Sequence, residues 1–386
     1  MQPEGRRPAI YLDHHATTPV DPRVLEAMLP FFTRDFGNAA SLIHAPGRRA
    51  AAAVEDARER VAASLGAEPR EIFFTSGATE SNNLALQGLA RQRGSRRDHW
   101  VSVDTEHPSV LDVCAALEEE GFSGTRVPVD SEGQVDPGGI AEAITEGTAF
   151  VSVMLANNEI GVLQPVERIA ALCRERGVAC HTDAAQAVGK IPVDTASLGV
   201  DLLSLSAHKF YGPKGVGALF VRQGRPRLRL APLQHGGGHE GGLRSGTLPV
   251  PLIVGMARAL ELCAEDLERE GKRVQELRDR LWGHLSRELP GVRRNGHAHE
   301  RLPGNLSVTL EGVDADRLLL ALPDVAISSG SACSTANPAP SHVLLALGLS
   351  PSEARSSLRI GLGRGTTGED VDRAAGRIVE EARAQS

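Results

Sequence analysis

Lys209 and Asp183 are the two residues on which the chemistry of this sequence turns. Lys209 stands in Ser204-Leu205-Ser206-Ala207-His208-Lys209-Phe210-Tyr211-Gly212-Pro213-Lys214-Gly215, where an apolar strand runs into a polar, glycine-rich turn. The chain holds four lysines, Lys190, Lys209, Lys214 and Lys272, among 42 basic residues. Arginine cannot form a Schiff base, so a lysine placed at a strand end in such a background offers its amine. Asp183 ends a second apolar strand, in Ala179-Cys180-His181-Thr182-Asp183-Ala184-Ala185-Gln186. An amine for an imine and a carboxylate for a pyridinium nitrogen are what pyridoxal phosphate asks of a protein. Their spacing of 26 residues fits one helical crossover between adjacent parallel strands. That would bring both side chains to the sheet edge where open α/β sheets bind ligands. Lys214, in a turn after Gly212-Pro213, is the rival for the imine; Lys190 and Lys272 read as surface residues.

Other groups fit the same chemistry. Thr75-Ser76-Gly77-Ala78-Thr79-Glu80-Ser81-Asn82 follows a strand and opens a helix, so its small residues let backbone N–H groups approach a phosphate; it also reads as an ordinary strand-to-helix turn. His107, in Asp104-Thr105-Glu106-His107-Pro108-Ser109, suits ring stacking and proton transfer near neutral pH, or simply a helix-capping turn. Asp183 alone would equally serve as a helix cap. Cys333 lies in Ile327-Ser328-Ser329-Gly330-Ser331-Ala332-Cys333-Ser334-Thr335, a small-residue loop suited to a nucleophilic thiolate. Taken alone, it could have no role. Cys114, Cys173 and Cys263 fall in helical patterns and Cys180 in a strand, which marks them as buried thiols. Metal binding is not expected: His235-Gly236-Gly237-Gly238-His239 and His14-His15 each lack a third ligand nearby.

The elements that must position these groups alternate along the first two-thirds of the chain. Strands are expected at 72–75, 100–103, 149–154, 178–181, 202–205 and 217–221, with helices at 47–65, 80–92, 109–120 and 165–176. Such alternation gives a mostly parallel sheet covered by helices on both faces. A long charged helix over about 254–289 then leads into a second, α+β domain. The last helix opens at Thr367-Gly368-Glu369-Asp370. A net charge of −7 argues against nucleic acid or an anionic membrane as partner. The N-terminus lacks a signal-peptide core, no apolar run reaches the roughly 18–20 residues of a bilayer span, and five dispersed cysteines form no CxxC pair. These features predict a cytoplasmic protein without a disulfide framework.

The ordered set of motifs resembles the cysteine desulfurases of the NifS/IscS type, fold-type-I pyridoxal phosphate enzymes of the class V aminotransferase family. It runs through Tyr11 to Pro19, Phe36 to Ser41, Thr75 to Asn82, Thr105-Glu106-His107, Asn157 to Gly161, Asp183 to Gln186, Ser206 to Gly217, His235 to Thr247, Ser328 to Cys333 and Leu358 to Arg364. The resemblance implies an α/β fold with a large cofactor domain at 15–258 and a small α+β domain from 1–14 and 259–386, which carries the Cys333 loop at about 327–340. It implies that Lys209 forms the imine, Asp183 pairs with the pyridinium nitrogen, Gln186 and Asn158 meet the ring oxygen, and His107 stacks and relays protons. Ala78, Thr79, Ser206 and His208 would hold the phosphate, with Thr247 reaching in from the other subunit of a homodimer. Arg359, helped by Asn38, would clamp the substrate carboxylate. Cys333 would take sulfur from L-cysteine as a persulfide, leave L-alanine, and pass the sulfur to an acceptor protein for iron–sulfur cluster assembly or thiolation. His14-His15 and Ala39-Ala40 vary the usual residues of their motifs, and members that dock an iron–sulfur scaffold often carry a longer tail than the one ending at Ser386. A selenocysteine lyase or a related transaminase is the alternative enzyme; a catalytically silent scaffold is disfavoured by the presence of Lys209, Asp183 and Cys333 together.

Overall fold

The computed structural model describes residues 9–92, 97–224, 228–329 and 339–385. Cys333, with the rest of 330–338, lies outside the described residues. Strand β1 (Ile10–Tyr11) opens the chain. Seven strands follow: β2 (Ile72–Thr75), β3 (His99–Val103), β4 (Ser123–Val127), β5 (Thr148–Ser152), β6 (Ala179–Asp183), β7 (Leu202–Ser206) and β8 (Gly217–Val221). They form one sheet in the order β2-β8-β7-β6-β5-β3-β4, parallel except for β8, which runs antiparallel to both its neighbours.

The central strands are buried along their whole length because helices cover both faces. Leu202-Leu203-Ser204-Leu205 accordingly carries apolar side chains on both sides rather than alternating. β4 was not expected from the sequence. It is the outer strand, and its polar Ser123-Gly124-Thr125-Arg126 suits an exposed edge and masks its strand character.

The helix expected over 254–289 is two helices, Val250–Ala264 and Leu267–Glu288. Their apolar stripes serve different cores. Ile253, Met256, Ala257, Leu260 and Cys263 enter the core beneath the large sheet, against the helix Ala45–Ser64. Val274, Leu281 and Leu285 enter a second core. The chain re-aims between them at Glu265-Asp266, where Asp266 leaves helical geometry (φ −132°, ψ 13°).

The second core lies under an antiparallel sheet. It is built from β9 (Arg293–Arg294), β10 (Asn305–Thr309), β12 (Ser328–Ser329) and β13 (Ser357–Gly361) in the order β12-β13-β10-β9, while β11 (Val325–Ala326) pairs with β1. The helix Gly368–Arg383 closes it from a capping box of Thr367 and Asp370. Among the described residues no helix is long and apolar enough to cross a membrane.

Candidate functional site

The segment after β1 is a strap from the small sheet to Lys209. Leu12 and His14 pair through their backbones with Gly361 on β13. Further on, the Thr18 N–H and hydroxyl both donate to the His208 carbonyl at 2.9 Å, and the Thr17 hydroxyl meets His208 Nδ1 at 3.1 Å. Between these ties the carbonyls of His15 and Ala16 accept from Lys209 Nζ at 2.6 and 2.8 Å.

Lys209 closes the short turn Ala207–Lys209 after β7. Phe210 beside it is fully buried, which anchors the turn by about 2 kcal/mol. Tyr211 then adopts φ 67°, a left-handed conformation costing about 1–3 kcal/mol for a non-glycine residue. Three contacts hold it: its N–H donates to Thr18 Oγ1 at 2.7 Å, its hydroxyl accepts from the Arg364 N–H at 2.6 Å, and its ring lies 4.2 Å from the Arg364 guanidinium. The amine is therefore held from both sides of a rigid turn.

Asp183 ends β6, opposite Ser204 of parallel β7, so the topology brings Asp183 and Lys209 to one sheet edge. Asp183 accepts from the Ala185 N–H at 2.9 Å and from Asn82 Nδ2 at 2.7 Å. Asn82 Nδ2 also donates to Ser109 Oγ at 2.8 Å, and Ser109 Oγ lies 2.8 Å from His107 Nδ1. Burial holds His107 below the ordinary histidine range despite the pull of Asp183. Glu106, wholly buried beside it, is pushed well above the carboxylate range by burial and then by Asp183. His342 Nε2 donates to the Glu106 carbonyl at 2.9 Å. Asn82, Ser109 and His342 were not singled out from the sequence. For Asn82 a signal existed: it lies one helical turn after Ala78, on the same face.

The phosphate end expected from the sequence is the start of the helix Ala78–Ala90. Its N-cap is Gly77, which gives no side-chain cap, and the N–H groups of Ala78 and Thr79 have no acceptor among the described residues. Gly77 has φ 153°, and a Cβ there would come within 3.4 Å of Ser206 Oγ. Ser206 is buried at the end of β7 with no described partner for its hydroxyl. His208 is held neutral, lowered to about 4 by burial and then by Lys209.

Gln186 Oε1 accepts from Lys190 Nζ at 2.7 Å and from His15 Nδ1 at 3.1 Å, while its Nε2 donates to the His15 carbonyl at 2.9 Å. Lys190 is therefore not the surface residue its sequence suggested. The turn before it folds its side chain back by one helical step onto Gln186, and burial followed by repulsion from Lys209 and Arg359 holds its amine well below the lysine range. His14 and His15 are both buried and lowered chiefly by burial, His14 to about 4.

Arg359, buried on β13, donates to Asp13 Oδ1 at 3.0 Å and to Ser328 Oγ and the Asn158 carbonyl, each at 3.3 Å; its Nε has no partner among the described residues. Ser328 faces Arg359 across β12 and β13. Asn158 is buried beside them. Asn38 makes a local contact. It is exposed, its Oδ1 accepts from the Ala40 N–H, and it lines a cavity of about 1530 Å³ with Arg58, Glu240, Leu243 and Leu248. That cavity's lining includes none of Lys209, Asp183, His107 or Arg359. Thr247 is likewise exposed, next to Leu248 on its rim.

The donors fit pyridoxal phosphate: open N–H groups and a free hydroxyl for the phosphate, a carboxylate for the ring nitrogen and an amine for the carbonyl carbon. The four cysteines among the described residues are buried, and burial raises Cys114 to about 12.

Residues 10–374 match the family described as Aminotransferase class-V. The chain is 52% identical over 379 residues to a mitochondrial cysteine desulfurase of Drosophila melanogaster, covering 98% of this chain and 81% of that protein. It is 48% identical over 383 residues to cysteine desulfurase IscS of Rickettsia felis, covering 99% and 93%. Among solved structures, a NifS-like protein superposes with a TM-score of 0.90 at 39% identity, covering 96% of this chain and 98% of that one. SspA in complex with cysteine gives 0.83 at 40%, covering 92% and 98%.

Proposed function

The chain belongs to the NifS/IscS-type cysteine desulfurases of the aminotransferase class-V family, and we propose that the residues around Lys209 carry that activity. It is a pyridoxal phosphate-dependent enzyme that takes sulfur from L-cysteine and leaves L-alanine. The observation that carries the assignment of residues is the meeting of the Lys209 amine, the Asp183 carboxylate and the open N–H groups of Ala78 and Thr79 at one sheet edge.

Ala78, Thr79, Ser206 and His208 would hold the phosphate; Asp183, His107, Gln186 and Asn158 would surround the ring, and Lys209 would attach it. Bound there, the cofactor supplies a carbon for the substrate amine and a ring that takes up the charge left when the α-proton departs. Arg359 holds the substrate carboxylate, to which a guanidinium fork is matched. The Lys209 amine, when free, would remove the substrate α-proton. His107, at the same edge, serves proton transfer. The Cys333 thiolate gives an electron pair to the substrate sulfur; the S–S bond forms, the Cβ–S bond breaks, and its pair stays on carbon, which takes a proton to become alanine. An acceptor protein's thiolate then attacks the outer sulfur; the S–S bond to Cys333 breaks, and Cys333 leaves as the thiolate.

A second copy of the chain completes the site in this reading, bringing Thr247 to the phosphate. Exposed Leu29, Phe32, Phe36, Leu42 and Ile43 support such a partner. The reading places the enzyme in the cytoplasm. Its test is alanine formation from L-cysteine by the cofactor-loaded protein. Lys209→Ala should lose the visible absorption band and at least about 10³-fold in rate; a variant that keeps both would end the assignment of Lys209.

A further inference from the structure

The hydrogen bonds between Asp183 and His107 have only one consistent set of donors. Asp183 accepts, so the Asn82 amide turns its NH₂ toward it, and the same nitrogen donates to Ser109 Oγ. The Ser109 hydroxyl lies 2.8 Å from His107 Nδ1, and because that nitrogen also faces a backbone donor, it receives the hydroxyl hydrogen. The Ser109 backbone N–H points at the same nitrogen from 3.1 Å. Two donors on Nδ1 require it to be unprotonated, which leaves the imidazole hydrogen on Nε2. The orientation has a cost that shows it is imposed: Asn82 Oδ1 is buried without a partner among the described residues.

We propose that Asn82 and Ser109 are positioning residues that fix His107 as the Nε2–H tautomer and set its proton affinity from the Asp183 side. The inference rests on the reading of His107 as the proton-handling group of the cysteine site. A proton arriving at His107 must enter at Nδ1, and it does so only when the Ser109 hydroxyl turns away and its N–H loses its acceptor. The charged and titratable groups facing His107 come from every side: Asp183 from β6, Lys209 after β7, His342 from the helix His342–Ala346, and Asp112 from its own helix. Among the described residues, the Ser109 hydroxyl is the side-chain group that reaches the ring nitrogen, and it can be deleted without removing a charge.

The test is nitrogen NMR of the holoprotein labelled with ¹⁵N-histidine, with His107 identified by the signal lost in His107→Gln. Wild type should show unprotonated Nδ1 and protonated Nε2 between pH 6 and 8. Ser109→Ala should mix the tautomers and raise the His107 titration by about one pH unit, the equivalent of one hydrogen bond. Asn82→Ala should move it in the same direction, and Ser109→Thr should restore it. The acidic limb of kcat/KM should follow these shifts. A wild-type His107 protonated on Nδ1, or a Ser109→Ala protein with unchanged tautomer and titration, overturns the proposal. Thermal melts and the visible absorption band show whether each variant folds and loads. Failure of wild type to make alanine would count against the functional reading alone, because the tautomer is read without turnover.

Discussion

The Lys190 amine donates to Gln186 Oε1 over 2.7 Å, and Gln186 in turn donates to the His15 carbonyl that also receives Lys209. The second lysine thus orients the amide that we propose for the cofactor's ring oxygen. Lys190→Met removes the donor and leaves a buried amide oxygen with one partner fewer. Cofactor affinity, measured by dialysis against limiting pyridoxal phosphate, should fall about tenfold, the equivalent of one buried hydrogen bond. Unchanged affinity would show that Gln186 is oriented without it.

Glu106 predicts an unusual pH response. Its folded pKa is raised above the unfolded value. Its stabilising contribution is therefore complete below the ordinary carboxylate range and is lost as pH rises through the folded value, because the unfolded chain releases the proton first. Glu106→Gln keeps a neutral group of the same shape. The difference in Tm between variant and wild type should grow in the variant's favour from about pH 5 to pH 8. A difference that is flat or reversed over that range would mean Glu106 is charged in the fold.

Gly77 predicts the location of the phosphate. A side chain there is strained at φ 153° and projects toward Ser206 Oγ. Gly77→Val should weaken cofactor retention by tenfold or more, about 1.4 kcal/mol, while the fold persists by circular dichroism. Retention equal to wild type would place the phosphate elsewhere.

Arg359→Lys keeps a charge for Asp13 but loses the planar fork. KM for L-cysteine should rise about tenfold or more, with a smaller change in kcat. A fall in kcat at constant KM would move Arg359 from binding to chemistry.

Much of this was legible because strand ends and helix starts are local. The apolar runs of β6 and β7, each stopping at a polar residue, carried Asp183 and Lys209 to one edge by spacing alone. What stayed hidden depends on contacts between distant segments. Lys190 looked superficial because nothing local says that a turn will fold it onto Gln186. Asn82 and Ser109, 27 residues apart, meet only because the helices Ala78–Ala90 and Pro108–Glu119 pack together. The break at Glu265-Asp266 has no proline or glycine to announce it; it exists because the two helices serve different cores. β4 was masked by the polarity that protects an edge.

The central claim is that Cys333 takes the sulfur. The direct measurement is the mass of the peptide containing Cys333 after the cofactor-loaded enzyme meets L-cysteine without added thiol. One extra sulfur on that peptide, reversible by reductant and matched by one alanine per active site, is the predicted result, and Cys333→Ala should make neither. Alanine formed in full by Cys333→Ala, or sulfur carried on another cysteine, would contradict it.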